Sequence, residues 1–385
     1  MDFLDKIFPK EIKIAPRPNY SPENYNKLAE FEKFKYDANI HLDIHLPDYV
    51  INLKFETLYM KDIDLNKNED YLRFRKFLEP GLAFTAPFKV FSEEGVKVLR
   101  EIVEISKSIP QVNFFTKRHP WRIRGIGYMS DFIRDLNECQ KLAKLASLFA
   151  GTSLSPFTYF NYSHFNIGVP GSGKKVDHWH LDSVGFVMVA ILSDCENMKG
   201  GDLQVLKRDR DWSAIDLLNS QNDDYTPEEI LTVKYPGPGY AVFMQGSHIF
   251  HHVTSVKEAT EPRISLIHSY MVSNCFEEDS TKFSTFKGLD PEHISFMEFA
   301  RLFAWRSSEM LDELINRTDF DEANSQDRKN DRSKGKEKAL SIFKMAIDEL
   351  TNAYSLLNGE KDDTIGYIDP ETKQFRGYDN EKVDS

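Results

Sequence analysis

The sequence predicts a mainly β core with flanking α-helices, an antiparallel sandwich or barrel rather than a parallel sheet. Three observations predict it. Between residues 157 and 272 the chain breaks into short β-type runs punctuated by Pro and Gly. These runs follow one another without the helical crossovers that parallel strands need. On both sides of this region, apolar residues return at helical spacing. A chain of 385 residues can bury a large core as one elaborated domain or two.

Taken in order, residues 1–20 carry Pro9, Pro16 and Pro18 and read as extended. Ser21-Pro22 offers an N-cap followed by proline at the first helical position, and Leu28, Phe31 and Phe34 continue an apolar stripe. Residues 38–63 read as short strands. His41 and His45 stand at i, i+4, but Leu42, Ile44 and Leu46 alternate as in a strand, which disfavours a metal pair. Leu82 to Val90 is extended, with Pro87 breaking it into an edge strand or two pieces. Ser92-Glu-Glu opens a helix through Val96, Leu99, Ile102 and Ile105 that ends before Pro110. Arg122 to Tyr128 reads as a strand with Arg122 and Arg124 on one face. Ser130 to Ala150 reads as one helix, closed by Gly151.

The β region then comprises Phe157–Gly168, His178–Asp182, Phe186–Leu192, Asp202–Leu206, Leu231–Val233, Tyr240–Gln245, Ile249–Val253 and Arg263–Val272. Residues 209–221 interrupt it, followed by the capping box Thr226-Pro-Glu-Glu. Asp290-Pro-Glu caps a helix bearing Phe296, Phe299, Phe303 and Leu311. Residues 318–338 read as a polar, mobile loop, and a last helix is expected at about 338–357 before a polar tail. This gives an N-terminal α/β extension at 1–150, a β core at 151–276 and a C-terminal helical extension at 277–385. No internal repeat stands out.

A net charge of −12 and the lack of a basic patch interleaved with aromatics disfavour nucleic acid as a partner. Cys139, Cys195 and Cys275 form no CxxC pair, which points to a reducing compartment and away from thiolate zinc. The N-terminus lacks the basic start and apolar run of a secretory signal. The longest apolar run, Phe186 to Leu192, is too short for a bilayer. A soluble cytoplasmic protein without a membrane partner is expected, its oligomeric state open.

The chemistry concentrates in Val176-Asp-His-Trp-His-Leu-Asp-Ser183. His180 and Asp182, two apart at a strand end, point the same way and offer one imidazole and one carboxylate. A third ligand from a second strand completes the two-His, one-carboxylate face of non-haem Fe(II) sites, leaving the other positions open. Ile249-Phe-His-His-Val253 offers His251 or His252, one on each face of its strand.

His180-Leu-Asp182, Gly200-Gly-Asp-Leu203, His251-His-Val253 and Arg263-Ile-Ser265, in that order, resemble the motifs of Fe(II)/2-oxoglutarate-dependent oxygenases. The match covers about residues 157–272. The resemblance implies a double-stranded β-helix (jelly roll, cupin-like) core. It implies Fe(II) held by His180, Asp182 and His251, with His252 the alternative to His251. It assigns Arg263 and Ser265 to the distal carboxylate of 2-oxoglutarate, and brings Asn161 or Tyr162 near that co-substrate. Dioxygen, with ascorbate in support, completes the cofactor set. The expected reaction oxidises an unactivated C–H bond, by hydroxylation or by related desaturation or ring closure, and releases succinate and carbon dioxide. Asp182 disfavours halogenation, since the related halogenases carry a small residue there.

His178, Trp179, Arg122 and Arg124 are candidate substrate residues because they flank the motif or sit on a preceding strand; core packing and surface ion pairing are the alternatives. A small molecule such as an amino acid or specialised metabolite is the expected substrate. The competing functions are a peptidyl, prolyl-type hydroxylase, a non-catalytic jelly-roll binding module and a cupin metalloenzyme without an oxo-acid. The last usually wants three or four histidines and has no need of Arg263.

Overall fold

A computed structural model describes residues 2–116, 118–220, 225–226, 228–316, 334–364, 366–368 and 375–377. Its centre is a double-stranded β-helix of two antiparallel sheets. The larger follows the order Thr57–Tyr59, Tyr49–Asn52, Leu82–Thr85, Tyr240–Met244, Phe186–Ile191, Arg263–Val272, His164–Gly168, Arg122–Ile123 and Asn113–Phe114. The smaller runs Ile230–Val233, Leu203–Leu206, His251–Glu258, Lys175–His180, then the C-terminal Gly366–Ile368 and Phe375–Gly377.

Period-two alternation builds both sides of the larger sheet. On Phe186–Ile191, Val187 packs between the sheets with Val242, Val205 and Val253. Phe186, Met188 and Ala190 face the other way, onto the N-terminal helices through Leu99, Ile102, Leu145 and Phe149. A strand covered on both faces reads as a continuous apolar run, which is why Phe186 to Leu192 lacks alternation. The Glu93–Ser106 helix starts where expected, the Ser92 hydroxyl accepting from the Gly95 amide at 3.0 Å. Gly151 caps Gln140–Ala150 with φ 76°.

Several local expectations fail for physical reasons. The helix expected from Ser21 shrinks to Ala29–Glu32, because Asn24 turns the chain at φ 68° and Leu28 is extended. Ala38–His41 is helical, with the Asp37 side chain accepting from the Asn39 amide. The buried His41 ring is committed to the Asp37 carbonyl and Phe132, away from His45. Only Arg122–Ile123 of the expected 122–128 strand pairs; Gly125, at φ 87°, turns the chain into Ile126–Met129. The 130–150 helix splits into Asp131–Asn137 and Gln140–Ala150 at the extended Cys139. Thr226 does form its bonds to Glu229, but they lead into the Ile230–Val233 strand instead of a helix. The last helix begins at Lys334, inside the expected loop, whose residues 318–333 lie outside the described ones. No helix among the described residues is long and apolar enough to cross a membrane.

Candidate metal centre and its cavity

Two adjacent strands of the smaller sheet bring the ligands together. His180 closes Lys175–His180, His251 opens His251–Glu258, and the two residues are direct cross-strand partners. Their rings lie 4.1 Å apart between centroids. Asp182 follows the strand end, its amide donating to the Gly246 carbonyl at 2.9 Å. Its carboxylate sits 3.3 Å from His180 Nε2 and 3.4 Å from His251 Nε2. The three ligand atoms lie within 4.8 Å of one another.

The imidazoles are oriented for this. His180 Nδ1 meets the His178 carbonyl at 2.6 Å and His251 Nδ1 meets the Ile249 carbonyl at 3.0 Å. A carbonyl only accepts, so each Nδ1 carries the proton and each Nε2 turns a lone pair toward Asp182. Burial pulls the His251 imidazole down to about 4, which keeps it in the neutral form a metal needs. Burial opposes charge on Asp182, but its basic surroundings, Arg118 among them, outweigh it and hold the carboxyl below the ordinary range. Asp182 Oδ2 is buried without a hydrogen-bond partner, so the donor set fits a divalent cation. The carboxylate also depends on Gly246, where a Cβ would lie 1.8 Å from Asp182 Oδ2.

His252 points to the opposite face. Its Nε2 meets Gln204 Oε1 at 2.7 Å, and its ring stacks on Trp179 at 3.9 Å. An amide oxygen accepts, so His252 Nε2 is protonated and engaged. His252→Ala is expected to leave Fe(II) affinity within a few-fold of wild type, whereas His251→Ala removes binding. Anaerobic iron titration checks this, and the reverse ordering would exchange their roles.

Arg263 opens the Arg263–Val272 strand and is 1% exposed. Its Nε donates to the Gly201 carbonyl at 2.7 Å and Nη1 to Ser265 Oγ at 2.9 Å. Nη2 is buried with no hydrogen-bond partner among the described residues, a donor free to meet a carboxylate oxygen. Ser265 lines the cavity. Because its oxygen accepts from Arg263, its hydroxyl proton is left to donate. The Gly200-Gly201 pair has a steric origin. Both residues have positive φ, and Cβ atoms there would lie 2.1 Å from the Ser255 carbonyl and 2.8 Å from Arg263 Cδ.

The cavity beside the ligands holds about 90 Å³. Arg122, Arg124 and Asn161 line it, and Asn161 sits in a 3-10 turn, Tyr159–Asn161, instead of a strand. Tyr162 does not line it. It stacks on Tyr159 at 4.4 Å within the core of the N-terminal half. His178 and Trp179 also lie off the cavity, Trp179 because it alternates with His180 and His178 because of a bulge. Val253 pairs with Asp177 and His251 with His180, so a β-bulge inserts one extra residue between Asp177 and His180. Asp177 and His180 then both face the cavity, while Trp179 joins Leu206 and Phe250 in a separate cluster.

Other cavity residues leave no mark in the sequence. Arg118 Nε donates to Asp177 Oδ1 at 2.8 Å, with His119 Nε2 3.4 Å from the same oxygen. Burial, with Arg118 and Arg122 beside it, holds His119 far below the usual imidazole range. By sequence Asp290 is a helix cap. Its carboxylate instead takes Arg124 in a two-point pair at 2.9 and 3.0 Å, also bracing Asn161. Strand alternation could have marked Asp177 only if the bulge had been visible; Asp290 carries no signal beyond its proline.

No protein-family model matches the chain, and no curated protein matches it. Similar solved structures include the non-haem α-ketoglutarate-dependent epimerase SnoN from nogalamycin biosynthesis, at 14% identity and TM-score 0.39 over 54% of this chain and 85% of that one. EctD from S. alaskensis matches at 15% and 0.35, over 47% and 70%. EvdO2 from Micromonospora carbonacea var. aurantiaca matches at 17% and 0.35, over 52% and 90%. Overlap of this size assigns no chemistry, which rests on this chain's own residues. By its strand topology and its His180, Asp182 and His251 cluster, the chain resembles the Fe(II)/2-oxoglutarate-dependent oxygenases.

Proposed function

We propose that this chain is an Fe(II)- and 2-oxoglutarate-dependent dioxygenase that oxidises an unactivated C–H bond of a small molecule, such as an amino acid or specialised metabolite. The observation that carries the reading is the convergence of His180 Nε2, Asp182 and His251 Nε2 within 4.8 Å, each imidazole locked through Nδ1. Fe(II) held by His180, Asp182 and His251 would, with the 2-oxo acid and dioxygen, supply C–H oxidation coupled to release of succinate and carbon dioxide.

The chain's own residues do the rest. Asp182 brings one negative charge against the metal's two, and the neutral imidazoles add none. Arg263 offers its unengaged Nη2 and Ser265 its hydroxyl proton to the distal carboxylate of the co-substrate. Val184, Val187, Leu203, Val253 and Phe286 line the cavity and keep water from the reacting carbon. Arg118, Arg122, Arg124 and Asn161 make the polar part of the wall and hold a small polar molecule in place.

Anaerobic addition of Fe(II) and 2-oxoglutarate is expected to give a weak visible charge-transfer band. Oxygen with pooled amino acids and metabolites should then release succinate in proportion to one consumed compound. No band from the wild-type protein would overturn the reading.

A further inference from the structure

The last long helix, Lys334–Leu357, is apolar on two faces. One is used: Ile342, Ala346, Ala353 and Leu356 are at most 5% exposed, and the helix packs along Glu292–Asn316. On its outer side Leu340, Phe343, Ile347, Leu350 and Tyr354 are 58, 49, 61, 47 and 64% exposed. Their steps of three, four, three and four residues are those of a helix–helix seam. Surface apolar residues scattered singly need no explanation, but a row of five at seam spacing does.

We propose that this face pairs with the same face of a second copy of the chain. Nothing among the described residues covers it. The parts outside the described residues are poorly suited to do so by composition: 317–333 holds one large apolar residue, Phe320, and 378–385 is Tyr-Asp-Asn-Glu-Lys-Val-Asp-Ser. The exposed flank intersperses Lys336, Lys338 and Lys344 with Glu337, Asp348, Ser341 and Thr351, a mixed-charge surface and not the continuous basic belt of a helix lying on an anionic membrane.

The row is self-complementary when two helices run antiparallel about a twofold axis. Ile347 then meets Leu350 of the partner subunit and Phe343 meets Tyr354 of the partner subunit, with Leu340 at each end of the seam. Each layer occurs twice by symmetry, and each of the four central apolar residues has an apolar opposite. Antiparallel helix dipoles also attract. The five exposed side chains present roughly 500 Å² per copy, so a pair buries about 1,000 Å², the lower edge of specific interfaces. The expected association is therefore a micromolar one.

Sedimentation velocity from about 1 to about 100 µM should show a concentration-dependent shift from the 44.7 kDa chain to twice that mass. Ile347→Glu and Leu350→Lys, both at exposed positions, should each remain monomeric with unchanged circular dichroism. Mixed one to one, the two variants should recover the dimer, because the carboxylate introduced at position 347 of one copy then faces the ammonium introduced at position 350 of the other. A wild-type chain that stays monomeric at the highest concentration overturns the proposal, as does a dimer that survives Ile347→Glu. Loss in both single variants without recovery on mixing overturns the antiparallel register.

Discussion

Replacing Asp182 with alanine is expected to abolish the Fe(II)·2-oxoglutarate band and reduce succinate formation by at least ~10³-fold, a loss of about 4 kcal/mol in transition-state stabilisation. The reason lies in charge as much as in ligand count. With Asp182 gone, two neutral imidazoles would face a divalent cation in a buried site without any protein anion among the ligands. The fold should survive, because the side chain is 19% exposed at a strand end and packs in no apolar cluster. Circular dichroism and the melting temperature would separate loss of the site from loss of the protein. An unchanged band in the variant would remove Asp182 from the ligand set.

Arg263→Gln is expected to raise the KM for 2-oxoglutarate by roughly 100-fold or more, with iron affinity changed little. Losing one partner of a buried charge pair typically costs about 2–5 kcal/mol. Arg263→Lys should recover little of this. A lysine nitrogen cannot hold the Gly201 carbonyl and Ser265 Oγ while offering a further N–H to a carboxylate in the same plane. Iron titration in the absence of the co-substrate, set beside the KM in its presence, makes the distinction. Equal loss of both would mean that Arg263 supports the fold and not the co-substrate.

Much of this site was legible because its parts are local in the chain. His180 and Asp182 are two residues apart, Gly200 and Gly201 are consecutive, and Arg263 and Ser265 share one strand face. Short-range geometry then decides where the side chains go. The choice between His251 and His252 needed the neighbouring strand, since only the His251–His180 pairing settles which ring turns inward. What stayed hidden depends on contacts between distant segments. The bulge after Asp177 exists because one strand is a residue longer than its partner, and it turns Asp177 toward the cavity in place of His178, which flanks the motif. Asp290 finds Arg124 across 166 residues of chain. The helix expected from Ser21 lost to burial: Tyr25 packs its ring against Phe160 and Tyr128, and a straight helix would give up the turn that places it there. Weak local propensity yields to such tertiary contacts.

Gly246 carries a lesson for transplanting such a centre. The Asp182 carboxylate occupies the space that any side chain at 246 would claim, and the backbone carbonyl of Gly246 anchors the Asp182 amide. The minimal portable unit is thus four residues, three that donate and one that vacates. A designer who grafts the two histidines and the aspartate onto another β-barrel would need to hollow out the facing loop as well. Otherwise the carboxylate is pushed aside and the scaffold keeps a pair of imidazoles with nothing charged between them.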